Sequence, residues 1–481
     1  MIHRYFLLFL FIFTFGISHA QSKDKLLDAG LPVVEITTNG KKMPTCEIVS
    51  GFPYGIEVYS IDNANKVPGR IKISNKKGVL YDSGDYVQGT SGMTIKIRGN
   101  SSGMADKKPY KIKLQKKADL LGRNNKKYEN KNWLLIYDKN YLNKIGFKVN
   151  ELMGMQWTPA YEYVNVMING KYKGLYMLLE SVERDKDCRL NVSKSGYIFE
   201  YDMYWWTEDL YVKIDTYLPW KMYYTFKYPE SEDMTEAQLA YFKEMIKAVE
   251  ASIKDGTYPQ YIDLNSFTSW VLAHDILGTA DGSGSNIFMT KYDDTDHSKV
   301  MMGNLWDFDS ILQKSKEWSS SHNMFYFKYL FSSSSKNNFK RAYRKQWDKV
   351  SPTIFDDLNT YLDEFAQSKE AVALDKSAEL DNQLWKWDVK NNTVTKLVNL
   401  YKNFFKERKT WLTGSVRQFP SFTKGDVNLD GTVNKDDLTA LVARIMGEDS
   451  DDIYGYDVDG NKVINVADIV ELIKIIRKTA K

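Results

Sequence analysis

The stretch DGSGSNIFMTKYDDTDHSKVMMGNLWDFD, residues 281–309, decides the fold. A Gly- and Ser-rich loop leads into an apolar run, a polar turn follows, and a second apolar run ends on two aspartates. Apolar runs joined by a polar turn predict a β-hairpin, whose register places Asn286 opposite Leu305 and Gly284 opposite Asp307. Taken alone, the loop is equally consistent with a flexible surface turn.

The predicted hairpin gathers four polar side chains in one small volume: Asp281, Asn286, Asp307 and Asp309. Clustered carboxylates repel one another unless a cation or a proton joins them. An Asp, an Asn five residues later, a hairpin and a further Asp form the arrangement with which kinases orient a hydroxyl group and hold Mg²⁺. The sequence therefore predicts a metal and phosphate site at this loop.

A second segment, IRGNSSGMADKKPYKIKL (residues 97–114), supplies positive charge upstream. Residues 98–103 form a Gly- and Ser-rich turn whose backbone amides suit a phosphate group. Lys111 and Lys113 alternate along the strand YKIKL and so share one face. A lysine on such a strand neutralises nucleotide phosphates in kinases. The alternative is a solvated hairpin edge that the lysines protect from pairing.

Length and composition indicate the number of domains, the fold class and which ligands to exclude. A chain of 481 residues, of which 43% are hydrophobic, is long enough for two or three domains with real cores. Residues 31–115 are typical of short strands, and the chain from residue 234 onward is typical of helices, which predicts an α+β fold. A net charge of +4 gives no reason to expect binding to nucleic acid.

The N-terminus and the cysteines bear on the cellular compartment. Residues 1–20 have a basic start, an apolar run and small residues at their end, which predicts a secretory signal peptide rather than a signal anchor. No later stretch is long and apolar enough for a transmembrane segment, so we expect a secreted protein, held at a cell surface only through a partner. Whether Cys46 pairs with Cys188 stays open.

Two matching segments follow one another near the C-terminus. Short oxygen-bearing side chains alternate in each segment and a carboxylate stands at position 12, which is the pattern of a calcium loop. The positions predicted to bind Ca²⁺ are Asp426, Asn428, Asp430, Thr432, Asn434 and Asp437, then Asp457, Asp459, Asn461, Val463, Asn465 and Asp468. Lys462 replaces glycine at position 6, where φ is positive, which disfavours Ca²⁺ in the second loop. The alternative is a pair of solvated acidic turns.

This duplicated segment, residues 424–478, resembles a dockerin module. Each loop closes on Asp rather than Glu, and one amphipathic helix follows each loop while none precedes it. The resemblance implies that the segment docks on a cohesin-like scaffold protein. Positions 10 and 11 of each loop help dockerins to choose a partner, and here they differ between Lys435-Asp436 and Val466-Ala467. The two faces should therefore not bind a partner interchangeably.

Five sequence blocks resemble the spore coat protein H (CotH) kinase family over about residues 31–415. In order, the blocks are IKIRGNSS…KKPYKIKL, NWLLIYDKNYL, VMINGKYKGLYMLLESVER, ADGSGSN and NLWDFD. Members of this family are atypical secreted protein kinases that phosphorylate Ser with ATP and a divalent metal. The resemblance thus implies a kinase that uses ATP with Mg²⁺ or Mn²⁺ on exported protein substrates.

Carried over residue by residue, the resemblance assigns roles in the site. Asp281, Asn286 and Asp307 match the catalytic residues, and Asn286, Asp307 and Asp309 match the metal ligands. Lys113 is preferred over its neighbour as the phosphate lysine. The residues matched to nucleotide binding are Arg98, Lys111, Lys113 and Glu180, of which Glu180 is the candidate partner of that lysine.

The sequence also departs from the family pattern. An arginine expected after Leu142 is absent, because Asn143 and Lys144 follow, and Thr279-Ala280-Asp281 stands where the family has N-x-D. These departures leave room for an alternative, a non-catalytic structural or adhesive component of a cell-surface or cellulosome-like complex.

The expected organisation has four parts. They are a signal peptide (1–20), a kinase-like domain (21–415), a linker (416–423) and a dockerin domain (424–478). The kinase-like domain is expected to be α+β, with a β-rich N-terminal portion and a helical C-terminal portion. The dockerin domain is expected to be small and all-α, a duplicated calcium loop and helix.

Overall fold

The computed structural model describes residues 22–62, 65–214, 218, 221–282, 284–332, 338–387, 392–447 and 455–479. The predicted signal peptide and Ser283 of the Gly- and Ser-rich loop lie outside these residues. Within them, strands dominate the first half of the chain and helices the second half. The predicted α+β class is confirmed, with its β-rich N-terminal and helical C-terminal portions.

The strands are β1 (Val33–Thr38), β2 (Ile48–Gly51), β3 (Val58–Ile61), β4 (Val67–Asn75), β5 (Gly78–Asp82), β6 (Met93–Ile97), β7 (Tyr110–Ala118), β8 (Asn130–Ile136), β9 (Tyr161–Ile168), β10 (Lys171–Glu180), β11 (Tyr197–Tyr201), β12 (Tyr211–Ile214), β13 (Met222–Tyr228), β14 (Ile287–Lys291) and β15 (Val300–Met302). The helices are α1 (Lys23–Ala29), α2 (Ser101–Met104), α3 (Leu142–Leu152), α4 (Glu236–Asp255), α5 (Leu264–Leu277), α6 (Phe327–Leu330), α7 (Asn338–Val350), α8 (Ile354–Gln367), α9 (Lys369–Trp385), α10 (Val394–Val416), α11 (Lys435–Gly447) and α12 (Val466–Thr479).

Seven strands form a closed barrel in the order β1-β9-β10-β8-β7-β6-β4, and β4 returns to pair with β1. Apolar residues alternate along these strands, so that one set of side chains fills the interior. That interior includes Val34, Ile71, Ile95, Trp133 and Val166. The barrel extends beyond the predicted β-rich segment, because β9 pairs in parallel with β1 and brings β8 and β10 into the same sheet.

Local turn chemistry sets the β9–β10 hairpin. Ile168 pairs with Lys171, which leaves Asn169 and Gly170 as the two-residue loop. Both loop residues have positive φ, 53° for Asn169 and 77° for Gly170. Asn-Gly is the pair that such a hairpin turn favours, since Asn and Gly tolerate the left-handed conformation best. This dipeptide therefore accounts for the tight turn between β9 and β10.

A second sheet, in the order β12-β13-β11-β14-β15, carries the hairpin from which the fold was predicted. In the hairpin Met289 pairs with Met302 and Lys291 with Val300. Continued outward by counting, this register sets Asn286 opposite Leu305 and brings Asp307 back beside the loop. The predicted register of β14 and β15 is therefore confirmed.

Helix α5 leads into the site from the core. It begins after Asp263, whose side chain accepts from the Ser266 backbone N–H (2.6 Å), and ends at Gly278, where φ is 58°. All residues from Ser266 to Leu277 are buried. The helix is covered on all sides because α3, α7, α10 and β15 pack around it.

The C-terminal segment folds as two loop–helix units that share a small core. Val427 and Leu441 come from the first unit, and Val458 and Leu472 from the second. Position 6 has positive φ in both loops, 91° at Gly431 and 69° at Lys462, so the backbone conformation predicted for Lys462 is confirmed. Position 4 is also left-handed in both loops, with φ of 63° at Leu429 and 84° at Gly460.

Two further observations concern the whole described chain. None of its described helices combines the length and the apolar character that a membrane crossing requires. Cys46 and Cys188 are both free thiols, so the structure does not join them in a disulfide.

A buried ion pair joins the barrel to the helical layer. The Lys107 ammonium group lies 2.7 and 2.8 Å from the two carboxylate oxygens of Asp381 on α9, and it also donates to the Leu175 carbonyl (2.7 Å). Asp381 accepts the Leu175 backbone N–H as well (2.9 Å). Both charged side chains are almost fully enclosed, at 2% and 4% exposure, so each depends on the other.

We expect Lys107→Met to destabilise the protein by about 3–5 kcal/mol, because it leaves the Asp381 carboxylate buried without a counter-charge. The matched control is Lys402→Met, which breaks the Lys402–Asp363 pair (2.7 Å) at the surface. That change should cost at most about 1 kcal/mol. Urea unfolding followed by far-UV circular dichroism measures both, and equal shifts of the two midpoints would contradict the ranking.

Candidate functional site

The loop after α5 is tied to the segment that follows β15. The Ala280 backbone N–H donates to the Ser310 carbonyl (3.0 Å), and the Asp281 N–H donates to the Ser310 hydroxyl (3.0 Å). The same hydroxyl donates back to the Asp281 carbonyl (3.1 Å). Gly282 is held in turn by Ser320 (2.9 Å). Asp281 is therefore placed by backbone contacts, which leave its own carboxylate at the surface of the cleft.

Asn286 and Asp307 meet across this loop. The Asn286 side-chain amide donates to the Asp307 carboxylate (3.1 Å). Both residues have positive φ, 63° and 62° respectively. Asn and Asp tolerate this conformation better than other side chains do, and residues held in it are found disproportionately at functional sites. The structure thus brings together two of the three residues that the sequence assigned to the metal.

A cavity of about 110 Å³ opens between the loop and the hairpin. Its lining residues are Met203, Tyr204, Trp270, His274, Asp281, Gly282, Gly284, Ser285, Asn286, Trp306 and Asp307. Of these, His274 is buried and its Nδ1 lies 3.0 Å from the Thr279 hydroxyl, as expected of a histidine within helix packing. Burial lowers the pKa of His274 to about 4, so the ring is neutral at physiological pH.

Two acidic residues of the cleft, Asp307 and Asp309, have raised pKa values. Desolvation, together with the charges of Asp309 and Asp281, raises the pKa of Asp307 to about 6, and Arg98 acts in the opposite direction. Burial also raises the pKa of Asp309, with a contribution from Asp138. Raised pKa values show that the surroundings of these carboxylates hold too little positive charge to stabilise their ionised form. A divalent cation is one means of supplying that charge.

Glu200 on β11 supports the loop, and the sequence reasoning missed it. Its carboxylate accepts the Asn286 backbone N–H (2.7 Å) and lies 3.0 Å from the Lys227 ammonium group. Glu200 is buried, and burial together with Glu200 raises the pKa of nearby Asp202 to about 7. An acid inside the apolar run YIFEYD (197–202) was the available signal, because a strand buries such a residue only with a partner.

Positive charge is gathered on the outer face of the barrel. Lys96 pairs with Lys111 across β6 and β7, and alternation puts Arg98 and Lys113 on the same face. Burial, together with the charge of Lys111, lowers the pKa of Lys96 to about 8. Burial also lowers the pKa of Arg98, against which Asp307 and Glu200 act. Arg98 therefore lies within electrostatic range of the acidic loop. Lys96 was not among the residues that the sequence predicted for this site.

The two candidate phosphate lysines differ in environment. Lys111 is partly buried, and burial lowers its pKa while Glu183 raises it and Lys227 lowers it. Lys113 is exposed and pairs in register with Thr94 and Asn132. The Lys111 environment therefore includes charges from the second sheet, whereas the Lys113 side chain is directed to solvent.

Glu180 does not partner either lysine, which corrects the prediction. Its carboxylate forms ion pairs with Arg123 (2.8 Å) and with Arg189, and it accepts the Ala160 N–H (3.0 Å). Glu180 pairs in register with Trp133, whose side chain lies inside the barrel. Its side chain is therefore on the opposite face of the sheet from the lysines, a relation that strand pairing sets and the local sequence does not show.

The predicted phosphate turn is a short helix joined to the far side of the cleft. Gly99, with φ of 84°, turns the chain out of β6 into α2. Tyr204, which lines the cavity, hydrogen-bonds with the Ser101 hydroxyl at the start of α2. The turn that carries the candidate phosphate-binding amides is thus connected to the acidic loop through one side chain.

Asn143 and Lys144, where the sequence departs from the family pattern, form contacts that stabilise the fold. Asn143 donates from its backbone and its side chain to Asp138 (2.8 and 3.0 Å). Lys144 forms an ion pair with Glu370 on α9 (2.8 Å). These contacts stabilise α3 against the barrel and the helical layer.

Comparison with known families agrees with this geometry. The sequence profile described as CotH kinase protein matches residues 95–412, more than half of the chain. The chain belongs to the CotH kinase family. The match begins in β6 and ends in α10. It therefore contains all candidate residues of the cleft and leaves the C-terminal loop–helix units outside. A search of curated proteins finds no match.

We expect Asp307→Asn to stabilise this CotH-family protein in the absence of metal at neutral pH, but not at about pH 4. The folded-state pKa of Asp307, about 6, lies above the ordinary value of 3.8, so ionisation between these values costs stability as the pH rises. After allowance for solvent screening, the difference between variant and wild type should grow to about 1 kcal/mol.

Thermal unfolding in EDTA across this pH range measures the effect. Asp255→Asn is the control of opposite sign, because the Thr257 side chain and N–H lower the pKa of Asp255. That variant should lose stability relative to wild type as the pH rises. A difference between Asp307→Asn and wild type that is constant with pH would contradict the assignment.

Proposed function

We propose that this CotH-family protein is a secreted protein kinase that transfers the γ-phosphoryl group of ATP to Ser residues of exported proteins. The observation that carries the proposal is the cleft itself, where Arg98 of the barrel lies within electrostatic range of a loop of acidic residues from the second sheet. A nucleoside triphosphate with a divalent metal has the complementary charges, because its phosphates can pair with the cations and its metal with the carboxylates. Phosphoryl transfer requires mainly such positioning and charge neutralisation.

The proposed roles follow from position. Asp281 orients the substrate hydroxyl and accepts its proton, because the residue is exposed on a loop held by backbone contacts. Asn286, Asp307 and Asp309 are the donor set for Mg²⁺ or Mn²⁺, and their oxygen chemistry fits these ions. Bound there, the metal would neutralise phosphate charge. Arg98 and Lys111 hold the phosphates from the barrel side.

The test is phosphate transfer by residues 21–481 incubated with labelled ATP and Mg²⁺ or Mn²⁺ and a casein-type Ser substrate. We expect Asp281→Ala and Asp307→Ala each to lower the rate by at least about a hundred-fold, because one removes the hydroxyl-orienting group and the other a metal ligand. Absence of nucleotide binding in the wild type would reject the kinase and favour a non-catalytic structural component.

A matched lysine pair sharpens this test. Lys111→Met should weaken Mg-ATP binding by about ten-fold or more, the loss of one charge-assisted hydrogen bond. Lys113→Met, two residues along the same face, should change it by less than about two-fold because an exposed charge is screened. The reverse ranking would identify Lys113 as the phosphate lysine.

We further propose that the C-terminal units form a calcium-binding dockerin that tethers the kinase-like domain to a cohesin-like scaffold. The observation that favours it is a buried carboxylate oxygen without a partner. Asp426 is fully buried, and its Oδ2 accepts the Gly431 N–H (3.0 Å) while its Oδ1 has no hydrogen-bond partner. Oxygen atoms of Asp457, Asp459 and Asp468 lie within 4.8 Å of one another in the second loop. Both donor sets suit Ca²⁺.

Removal of calcium tests the dockerin proposal. At a free Ca²⁺ concentration about a hundred times the Kd, we expect each bound ion to stabilise its unit by about 2.7 kcal/mol, and EGTA to abolish the gain. Asp430→Ala should remove one binding event in calorimetric titration. Asp436→Ala, an exposed acid at position 11, should leave both events in place. Indifference of the wild type to Ca²⁺ would reject the proposal.

A further inference from the structure

The first calcium loop lies against helix α7 of the kinase-like domain. The guanidinium group of Arg341 lies so close to Gly431 that a Cβ atom at position 431 would overlap it. Gly431 directly follows Asp430, and its backbone N–H donates to the Asp426 carboxylate (3.0 Å). A cation from another part of the chain therefore stands beside the predicted calcium ligands.

A second cation on α7, one turn later, also contacts the C-terminal segment. The Lys345 ammonium group would lie 2.6 Å from a Cβ atom at Gly455, and it stands 5.2 Å from the Tyr456 ring centroid and 5.8 Å from that of Phe422. Residues four apart on a helix share one face. One face of α7 thus presents two positive charges to the acidic C-terminal segment, and both take part in its contacts.

We propose that Arg341 serves as the counter-charge of the first loop without calcium, so that Ca²⁺ binding and docking of the C-terminal segment on α7 oppose each other. The proposal rests on the calcium-binding function proposed above. Ca²⁺ and a guanidinium group repel when they share one cluster of carboxylates. Because coupling between two binding events is reciprocal, the docked segment binds Ca²⁺ more weakly, and Ca²⁺ favours the undocked segment that is open to a partner.

The experiment is calorimetric titration of the full chain with CaCl₂, with the first-loop event identified as the one lost in Asp430→Ala. Arg341→Gln should tighten that event by about five-fold at low ionic strength, and the gain should shrink in about 0.5 M KCl because salt screens the repulsion. Arg341→Lys keeps the charge and should remain within about two-fold of wild type. Lys340→Gln, one residue earlier on α7, controls for a general loss of positive charge.

The outcomes separate this proposal from the calcium function. Tightening in Arg341→Gln alone, with salt dependence, supports the coupling. Unchanged or weaker first-loop binding in Arg341→Gln, while the wild type binds Ca²⁺, overturns the coupling and leaves the calcium function intact. Equal tightening in Lys340→Gln also overturns it, since any nearby charge would then suffice. No Ca²⁺ binding in any variant rejects both proposals.

Discussion

The hydrogen bond from Asn286 to Asp307 is the constraint on which the acidic half of the site depends. It joins two residues far apart in sequence, and both adopt a backbone conformation that costs a side-chain-bearing residue energy. Two features compensate that cost. The β14–β15 register returns the chain to the loop, and Glu200 accepts the Asn286 backbone N–H from a neighbouring strand. The acids are therefore held together by the sheet rather than by one another.

The two halves of the cleft carry opposite charge because they belong to different layers. The barrel contributes cations on its outer face, and the second sheet contributes carboxylates at the end of its central hairpin. Lys107 and Asp381, in contrast, neutralise each other directly within the core. A cleft built in this way favours a ligand that itself bears both signs of charge, which a metal–nucleotide complex does.

Local chemistry predicted much of the fold, and nonlocal pairing accounts for what it did not. The Asn169-Gly170 turn, the limits of α5 and the β14–β15 register follow from short-range rules, and the structure has all of them. Whether a strand residue faces the barrel interior depends on its neighbours across the sheet, so Glu180 was wrongly matched as the partner of the phosphate lysine. Lys96 and Glu200 were not predicted for the same reason, because the role of each depends on a partner on another strand.

Backbone strain does not rank the two proposed calcium loops. The sequence disfavours the second loop because Lys462 stands at a left-handed position, yet the first loop has Leu429 at the other left-handed position, where the second has Gly460. Each loop therefore contains one strained residue and one glycine, and the costs are of similar size. What distinguishes the loops is charge from outside them: Arg341 stands over the first, and Lys345 lies beside the residues that lead into the second. If the loops bind Ca²⁺ as proposed, their relative affinity should depend on α7, which lies outside the loop sequences.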